Sequence, residues 1–445
     1  MRRIQSLYIL FVLPAFLLVA YGCSESTERG NGERGNSWEP VALKERVQGL
    51  DAGDYRLVKK QADAFDARLK SNPDEMEALI GLAQVFMYEA RVTGDHPYYY
   101  PAALELIDRA LNQDPQNYEA LVSKASVLLS LHKFSEALSV AEKSVAAMPD
   151  RAVGYGALVD ANVELGRYAE AVDAADRMVA IRPDLKSYSR VSYLREIHGD
   201  NQGAVQAMQL AVDAGAPGSE EKAWAQTTLG NLYLDEGDLP KAEREFRMAS
   251  LERLDYPFAL AGLARVYVLN GQHDSAMALL DKALTLVPEF SFVEMKADMY
   301  RAVGNDRAAD SLVAVVEEML AEDEASGHSM DRELALLYAR HGIKADEAVA
   351  RAHKELARRP DNIQAQDMMA YVLLRSGQPR EADRFMGKAR RMGAESGMMT
   401  AHAGLIQTAL GNNAEGQALL RKAMQLNPHL PTLLRMQVRE ALLNG

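Results

Sequence analysis

The chain has 445 residues, a formal net charge of −13 and a single cysteine. An acidic surface repels nucleic acid and anionic lipid headgroups, which excludes both as partners of the main body of the protein. Because one cysteine cannot form an intramolecular disulfide, the folded chain must be stabilised by packing alone.

Residues 1–22 have the pattern of a secretory signal peptide. Arg2 and Arg3 precede an apolar run over residues 7–20, and Cys23 follows directly after Gly22. A basic start before an apolar stretch of this length is typical of exported proteins. The arrangement also resembles the bacterial lipobox, which implies that the Cys23 thiol is lipidated and becomes the mature N-terminus. The alternative is an uncleaved signal anchor that remains as a transmembrane helix.

Residues 23–40 are predicted to form a flexible tether behind the lipidated cysteine. The segment is polar and rich in Gly, Asn and Glu, a composition that cannot bury a core. A tether of this length spans about 20–25 Å and would hold the remaining chain close to a membrane surface. Ser24 occupies the position where aspartate commonly signals inner-membrane retention, which favours the outer membrane and leaves the membrane face open.

Residues 41–71 are predicted to form one or two helices, or a divergent first repeat. From residue 72 to residue 428 the dominant pattern is a spacing of 34 residues between prolines. This is the length of one helix-turn-helix repeat that ends in a proline-marked turn, because proline cannot continue the preceding helix. The strictly spaced members are Pro115, Pro149, Pro183 and Pro217, and the looser ones are Pro288, Pro360 and Pro428.

The clearest copy of the repeat lies in residues 229–249. Gly230, Ala242 and Ala249 are small enough to let two helices approach closely, while Tyr233 and Phe246 fill the gaps between repeats. The pattern resembles the tetratricopeptide repeat. This resemblance implies an all-α, right-handed solenoid of about ten repeats over residues 72–428, closed by a capping helix within residues 429–445.

No sequence motif indicates catalysis or a cofactor. The chain has no HExxH, CxxC, GxSxG or Walker motif, and its nine histidines are not paired at metal-ligand spacing. We therefore predict a protein that is not an enzyme and that needs no metal or cofactor. Four histidines near the predicted turns are expected to be exposed: His132, His198, His273 and His341.

In proteins with this repeat, the first helix of each pair lines the concave face, where ligand peptides lie. The resemblance therefore implies a partner-binding groove. Its candidate residues are Asp160, Arg190, Trp224, Asn231, Phe258, Arg265 and Phe292. The aromatic residues would be apolar anchors, the asparagine would bind a peptide backbone, and the arginines would pair with a carboxylate. The alternative for Trp224 and Phe258 is packing between neighbouring repeats.

A second candidate surface is formed by residues 94–101, an insertion predicted to lengthen the turn of the first clear repeat. It contains Tyr98, Tyr99 and Tyr100 in succession, and tyrosine clusters on loops are frequent binding anchors. The alternative is that these side chains fold back and seal the first repeat against residues 41–70.

Together these patterns predict a non-catalytic scaffold, anchored by lipid in a bacterial cell envelope, that binds a protein or peptide partner on its concave face. Assembly or secretion of envelope components is the expected setting. The alternative is a lipoprotein that binds a glycan or another small ligand through the tyrosine segment and the groove aromatics.

Overall fold

The computed structural model describes residues 41–47, 50, 52–393 and 396–444. The predicted signal peptide, Cys23 and the tether lie outside these residues. The described chain forms 22 α-helices and no strand: α1 Ala52–Ser71, α2 Met76–Thr93, α3 His96–Gln113, α4 Tyr118–Ser130, α5 Phe134–Ala147, α6 Ala152–Glu164, α7 Tyr168–Ile181, α8 Leu185–Ile197, α9 Asn201–Ala214, α10 Glu220–Asp235, α11 Leu239–Glu252, α12 Pro257–Leu269, α13 His273–Leu286, α14 Phe290–Ala302, α15 Asp306–Ala325, α16 Asp331–His341, α17 Ala345–Arg358, α18 Ile363–Arg375, α19 Pro379–Ala389, α20 Gly397–Ala409, α21 Asn413–Leu426 and α22 Thr432–Asn444. None of these helices combines the length and the apolar character needed to cross a bilayer.

Helices α2 to α21 are arranged as ten consecutive pairs, each joined by a short turn. The two helices of a pair pack on each other, and each pair packs on the next one in the chain. The result is the expected all-α solenoid, in which each repeat covers the apolar face of its neighbour. The residues between α1 and α2 form another short turn, so that α1 packs against the first pair.

The packing between pairs follows the predicted pattern of small and large residues. Phe246 on α11 is fully buried between α10 and α12. A Cβ atom at Gly230 would lie 2.6 Å from this ring, and one at Gly262 would lie 2.4 Å from it. These two positions therefore require glycine, because any side chain would displace the phenylalanine. The predicted close approach at Gly230 and the gap-filling role of Phe246 are confirmed.

The array also packs against itself after five to six pairs, which the sequence pattern does not predict. Nδ1 of His132 lies 3.0 Å from the carbonyl oxygen of Ser329, 197 residues later. The Asn362 amide donates to the carbonyl oxygen of Val163 over 3.1 Å, across 199 residues. We call this line of contacts the seam. Its lower side, in the first superhelical turn, contains residues 132, 163–166 and 235–237. Its upper side, in the second superhelical turn, contains residues 329, 361–363 and 427–429.

Each seam contact joins the same two kinds of turn. The lower side is the turn between two helices of one pair, and the upper side is the turn between two pairs of the next superhelical turn. Near the end of the chain, the Asn427 amide donates to Asp235 over 3.1 Å. The solenoid is therefore a tight coil whose second turn lies directly on its first.

The final helix does more than cover the last pair. Helix α22 packs on α20 and α21, as a capping helix does, but it also packs on α14. The Gln437 amide donates to the Tyr371 hydroxyl on α18 over 3.3 Å. Helices α14, α18 and α20 are the first helices of the seventh, ninth and tenth pairs. A single helix can contact all three only if it lies on the concave side of these pairs. Helix α22 therefore occupies the inner face of the second superhelical turn.

Candidate binding cavity on the inner face

The inner face of the first superhelical turn contains a cavity of about 570 Å³. Its wall is formed mainly by the first helices of consecutive pairs, α4, α6, α8 and α10, with Arg91 from α2 and Met208 from α9. Trp224 and Val153 in this wall are 43% and 44% exposed, so solvent reaches the cavity. The volume lies within the range of about 300–1,000 Å³ that is typical of ligand pockets.

Trp224 is the largest partly exposed apolar side chain of the wall. Helix α10 is capped by Ser219, whose hydroxyl accepts a hydrogen bond from the backbone N–H of Lys222 over 3.2 Å and so fixes the start of the helix. From that start, Trp224, Thr228 and Leu232 follow at intervals of four residues and line the cavity together. Trp224, which was predicted to lie in the partner-binding groove, therefore lines this cavity.

Arg190 also lines the cavity, as the groove prediction placed it, but its guanidinium group is already occupied. Nε donates to Asp160 Oδ1 over 2.8 Å and Nη2 donates to Oδ2 over 2.5 Å. Nη1 donates to the carbonyl oxygen of Lys186 over 2.8 Å. Since these bonds hold Arg190 and Asp160 together, the arginine is not available as a carboxylate clamp.

One carboxylate of the wall lacks a partner. The other charged wall residues form Arg91–Glu220 at 2.8 Å, Lys186–Glu221 at 3.8 Å and Arg190–Asp160. Glu196 on α8 has no hydrogen-bond or ion-pair partner among the described residues. Glu196 is an exposed residue, although nearby protein atoms remove part of the hydration of its carboxylate. This partial desolvation, followed by the nearby charge of Asp235, raises the pKa of Glu196 to about 7.

The remaining groove candidates lie elsewhere. Arg265 donates to Asn231 over 3.0 Å and lies 3.9 Å from Asp235, so these two candidates bind each other beside the seam. Phe258 and Phe292 contact each other edge to face with ring centroids 5.6 Å apart. Phe292 is only 2% exposed, and it is therefore a packing residue instead of a groove residue.

The three tyrosines do not lie on a loop. They belong to the first turns of α3, and only two residues separate α3 from α2, so the insertion lengthens the helices instead of the turn. Tyr99 and Tyr100 are buried. The Tyr98 hydroxyl donates to the carbonyl oxygen of Ala42 over 2.7 Å, and the Tyr99 hydroxyl accepts the Lys44 N–H over 3.1 Å. The segment therefore seals residues 41–47 onto the first pair, as the alternative interpretation proposed.

The double variant Tyr98→Phe/Tyr99→Phe is expected to loosen this seal. Each lost hydroxyl removes one hydrogen bond, worth about 1 kcal/mol, without changing the packing of the rings. Hydrogen exchange at residues 41–47 should become faster while exchange in α4 to α10 stays unchanged. The matched control is Tyr300→Phe, because the Tyr300 hydroxyl has no hydrogen-bond partner among the described residues. Equal exchange in all three proteins would contradict the proposed seal.

Of the four turn histidines, His198 and His273 are exposed as predicted and His132 is half-buried in the seam. The predicted exposure is wrong for His341. Its side chain is fully buried, with Nε2 3.5 Å from Asp298 Oδ1. Burial lowers the pKa of His341 to about 4 and raises the pKa of Asp298 to about 7. The described residues contain no group of three or more His, Cys, Asp or Glu side chains that could hold a metal ion.

Solved structures with similar folds have low sequence identity to this chain. A tetratricopeptide protein of Thermus thermophilus is 22% identical, with 46% of this chain and 100% of that chain covered and a TM-score of 0.36. One from Parabacteroides merdae is 18% identical, with 55% and 93% covered and a TM-score of 0.40. The human IFIT1 dimer is 15% identical, with 77% and 79% covered and a TM-score of 0.48. No function follows from similarities at this level.

The sequence itself also matches a known repeat. No curated protein matches the chain, but the profile of the tetratricopeptide repeat matches residues 100–152, 122–186 and 227–289. These ranges include α4, α6 and part of α10, which form much of the cavity wall. The tetratricopeptide repeat is a protein-interaction module in the proteins that contain it. The helix pairs, their packing and the profile matches together identify this chain as an all-α solenoid built of tetratricopeptide repeats.

Proposed function

We propose that the protein is a non-catalytic scaffold that binds a segment of a partner protein in the cavity between α4 and α10. The observation that carries this proposal is the cavity itself, with partly exposed Trp224 in a wall made by first helices of consecutive repeats. Aromatic residues in a concave site are frequent anchors of protein interfaces. The inner face of the second superhelical turn is occupied by α22. The accessible part of the inner face therefore belongs to the first superhelical turn.

The proposed setting is a bacterial cell envelope, with the protein anchored by a lipid on Cys23. The support for this setting is the sequence of residues 1–40, in which an apolar run precedes the cysteine and a polar segment follows it. An outer-membrane location and a role in the assembly or secretion of envelope components complete the proposal. Labelled palmitate should be incorporated into the wild type and not into Cys23→Ala, which should leave the membrane fraction.

The binding site is tested by site-specific photo-crosslinking in intact cells. A photoreactive amino acid in place of Thr228, inside the cavity, should capture a defined envelope protein. The same amino acid in place of Glu170, exposed on α7 and outside the cavity wall, should not capture it. Equal capture from both positions would show that the cavity is not the binding site.

Trp224→Ala is expected to weaken capture of this partner at least tenfold, because truncating an aromatic anchor costs about 2 kcal/mol or more. Leu251→Ala is the matched control, since Leu251 is an apolar side chain that is 78% exposed on α11 and does not line the cavity. Titration of the purified partner against both variants measures the effect. A similar loss of affinity in the two variants would contradict a specific role of Trp224.

A glycan or another small ligand is the second candidate occupant. Ser126, Ser130 and Ser189 line the cavity together with Trp224, and hydroxyl groups beside an aromatic ring can bind a sugar. The tyrosine segment no longer supports this candidate, because Tyr98 and Tyr99 are bonded to residues 42 and 44 and Tyr100 is buried. Thermal stabilisation of the purified protein by a sugar, lost in Trp224→Ala, would favour this second candidate.

A further inference from the structure

We infer that the cavity selects a partner segment with a positively charged side chain, which binds Glu196 as its counter-charge. Because the site is the cavity of the proposed function, the inference rests on that function and names the chemistry of the bound segment.

The balance of charge in the wall supports a cationic side chain. The wall carries three cationic residues, and each has a carboxylate partner; Glu196 is the fourth carboxylate and is left over. A carboxylate that has no partner and has lost part of its hydration is stabilised by a cation that enters beside it. A neutral side chain would leave this carboxylate without a partner, and an acidic one would add a second negative charge next to it.

The same wall disfavours a carboxylate ligand. A C-terminal carboxylate requires free cationic or N–H donors, as in a clamp of arginine and lysine side chains. Here the Arg190 guanidinium binds Asp160 and two backbone carbonyl oxygens, those of Gly156 and Lys186. Outside the cavity, Arg265 is bonded to Asn231. A carboxylate would therefore have to displace bonds that already exist within the fold.

The apolar part of the wall suits the stem of a long basic side chain. Lysine and arginine carry three or four methylene groups that pack on apolar surface while the charged group remains polar. Leu232 on α10 and Tyr193 on α8 line the same cavity as Glu196. A cation near aromatic rings is also stabilised by their electron-rich faces. The wall thus offers both a surface for the stem and a charge for its end.

The inference is tested by selecting peptides from a randomised, displayed heptapeptide library against the full-length protein at pH 8, where Glu196 is ionised. Wild type should enrich peptides that contain lysine or arginine. Glu196→Gln, which keeps the shape of the side chain and removes its charge, should lose this enrichment. For a selected peptide, replacing the basic residue by glutamine should weaken binding to wild type about tenfold or more and leave binding to Glu196→Gln almost unchanged.

Glu170→Gln serves as the matched control, because it removes one negative charge from an exposed position on α7; it should enrich the same basic peptides as wild type. Selection of neutral or acidic peptides by wild type would overturn the inference while leaving peptide binding intact. Equal enrichment of basic peptides by wild type and Glu196→Gln would also overturn it, since the overall acidity of the protein would then be the cause. If no peptide is selected, the proposed function fails together with the inference.

Discussion

Gly166→Ala is expected to lower the free energy of unfolding by about 2–3 kcal/mol more than Gly271→Ala. Both glycines end the first helix of a pair, and both have a φ of 76°. Alanine in this left-handed conformation costs about 1–2 kcal/mol at either position. The positions differ only in their surroundings. A Cβ atom at Gly166 would lie 2.1 Å from the carbonyl oxygen of Asp361 across the seam, whereas nothing lies within 4 Å of one at Gly271.

The additional cost at Gly166 arises because the obstructing atoms belong to the backbone. A long side chain could rotate away, but the Asp361 carbonyl and the Asn362 N–H are fixed by the start of α18. The two superhelical turns must therefore separate locally to admit the methyl group. Because this part of the seam joins α6 to α18, the cavity wall should also become more mobile in this variant.

Chemical denaturation of the two variants and of wild type measures the difference in stability. Hydrogen exchange at Ile363 gives a local readout, since its N–H donates to the Tyr168 hydroxyl across the seam over 2.9 Å. This exchange should be faster in Gly166→Ala and unchanged in Gly271→Ala. If both variants lose the same stability and the Ile363 exchange is unchanged, the two turns of the coil are not in contact in solution.

The helix pairs could be predicted because their signals are local. The 34-residue spacing, the turn prolines and the small residues at Gly230 and Ala242 all act within one repeat or between neighbours. The seam could not be predicted in this way. Its position depends on the small rotation from each pair to the next, which accumulates over nearly six pairs. Val163 and Asn362 are 199 residues apart, and neither belongs to a pattern that refers to the other.

The candidate site could be predicted only in part, because the repeat pattern is a local signal. The repeat pattern indicates that a first helix faces inward, which placed Trp224 and Arg190 in the cavity wall. It does not indicate which inward residues remain free. Arg190 is bonded to a residue of the preceding repeat, and Phe292 is covered by its neighbours. The unpaired carboxylate of Glu196 was missed, because its isolation depends on how all the other charges of the wall pair.

The seam also changes how this array is expected to unfold. In an ordinary solenoid each repeat contacts only its neighbours, so the ends can open while the middle stays folded. Here the second and third pairs contact the seventh to ninth pairs. Opening either end therefore breaks contacts in the middle of the chain, and the unfolding transition should be more cooperative. Denaturation followed by probes in α4 and in α18 should give coincident curves.

Arg359→Ala is expected to reduce stability by about 3–5 kcal/mol, because it breaks a buried ion-pair network and leaves Glu164 without its cation. Arg359 follows the end of α17, is 3% exposed, and contacts Glu164 across the seam as well as Glu355 on α17. Its guanidinium carbon also lies 5.0 Å from the centre of the Phe134 ring. The alanine variant removes all three contacts, so the loss combines an electrostatic and a packing component.

Arg182→Ala is the matched control for this prediction. Arg182 is 69% exposed and pairs with Asp184 over 2.8 Å, and an exposed pair of this kind contributes about 0–1 kcal/mol. A double-mutant cycle with Glu164→Gln then isolates the pair across the seam. Glu164→Gln should cost clearly less in the Arg359→Ala protein than in wild type, because its partner is already absent. Additive effects would mean that Arg359 stabilises only its own repeat and that the two superhelical turns are held together by the other seam contacts, such as those of Asn362 and Ile363.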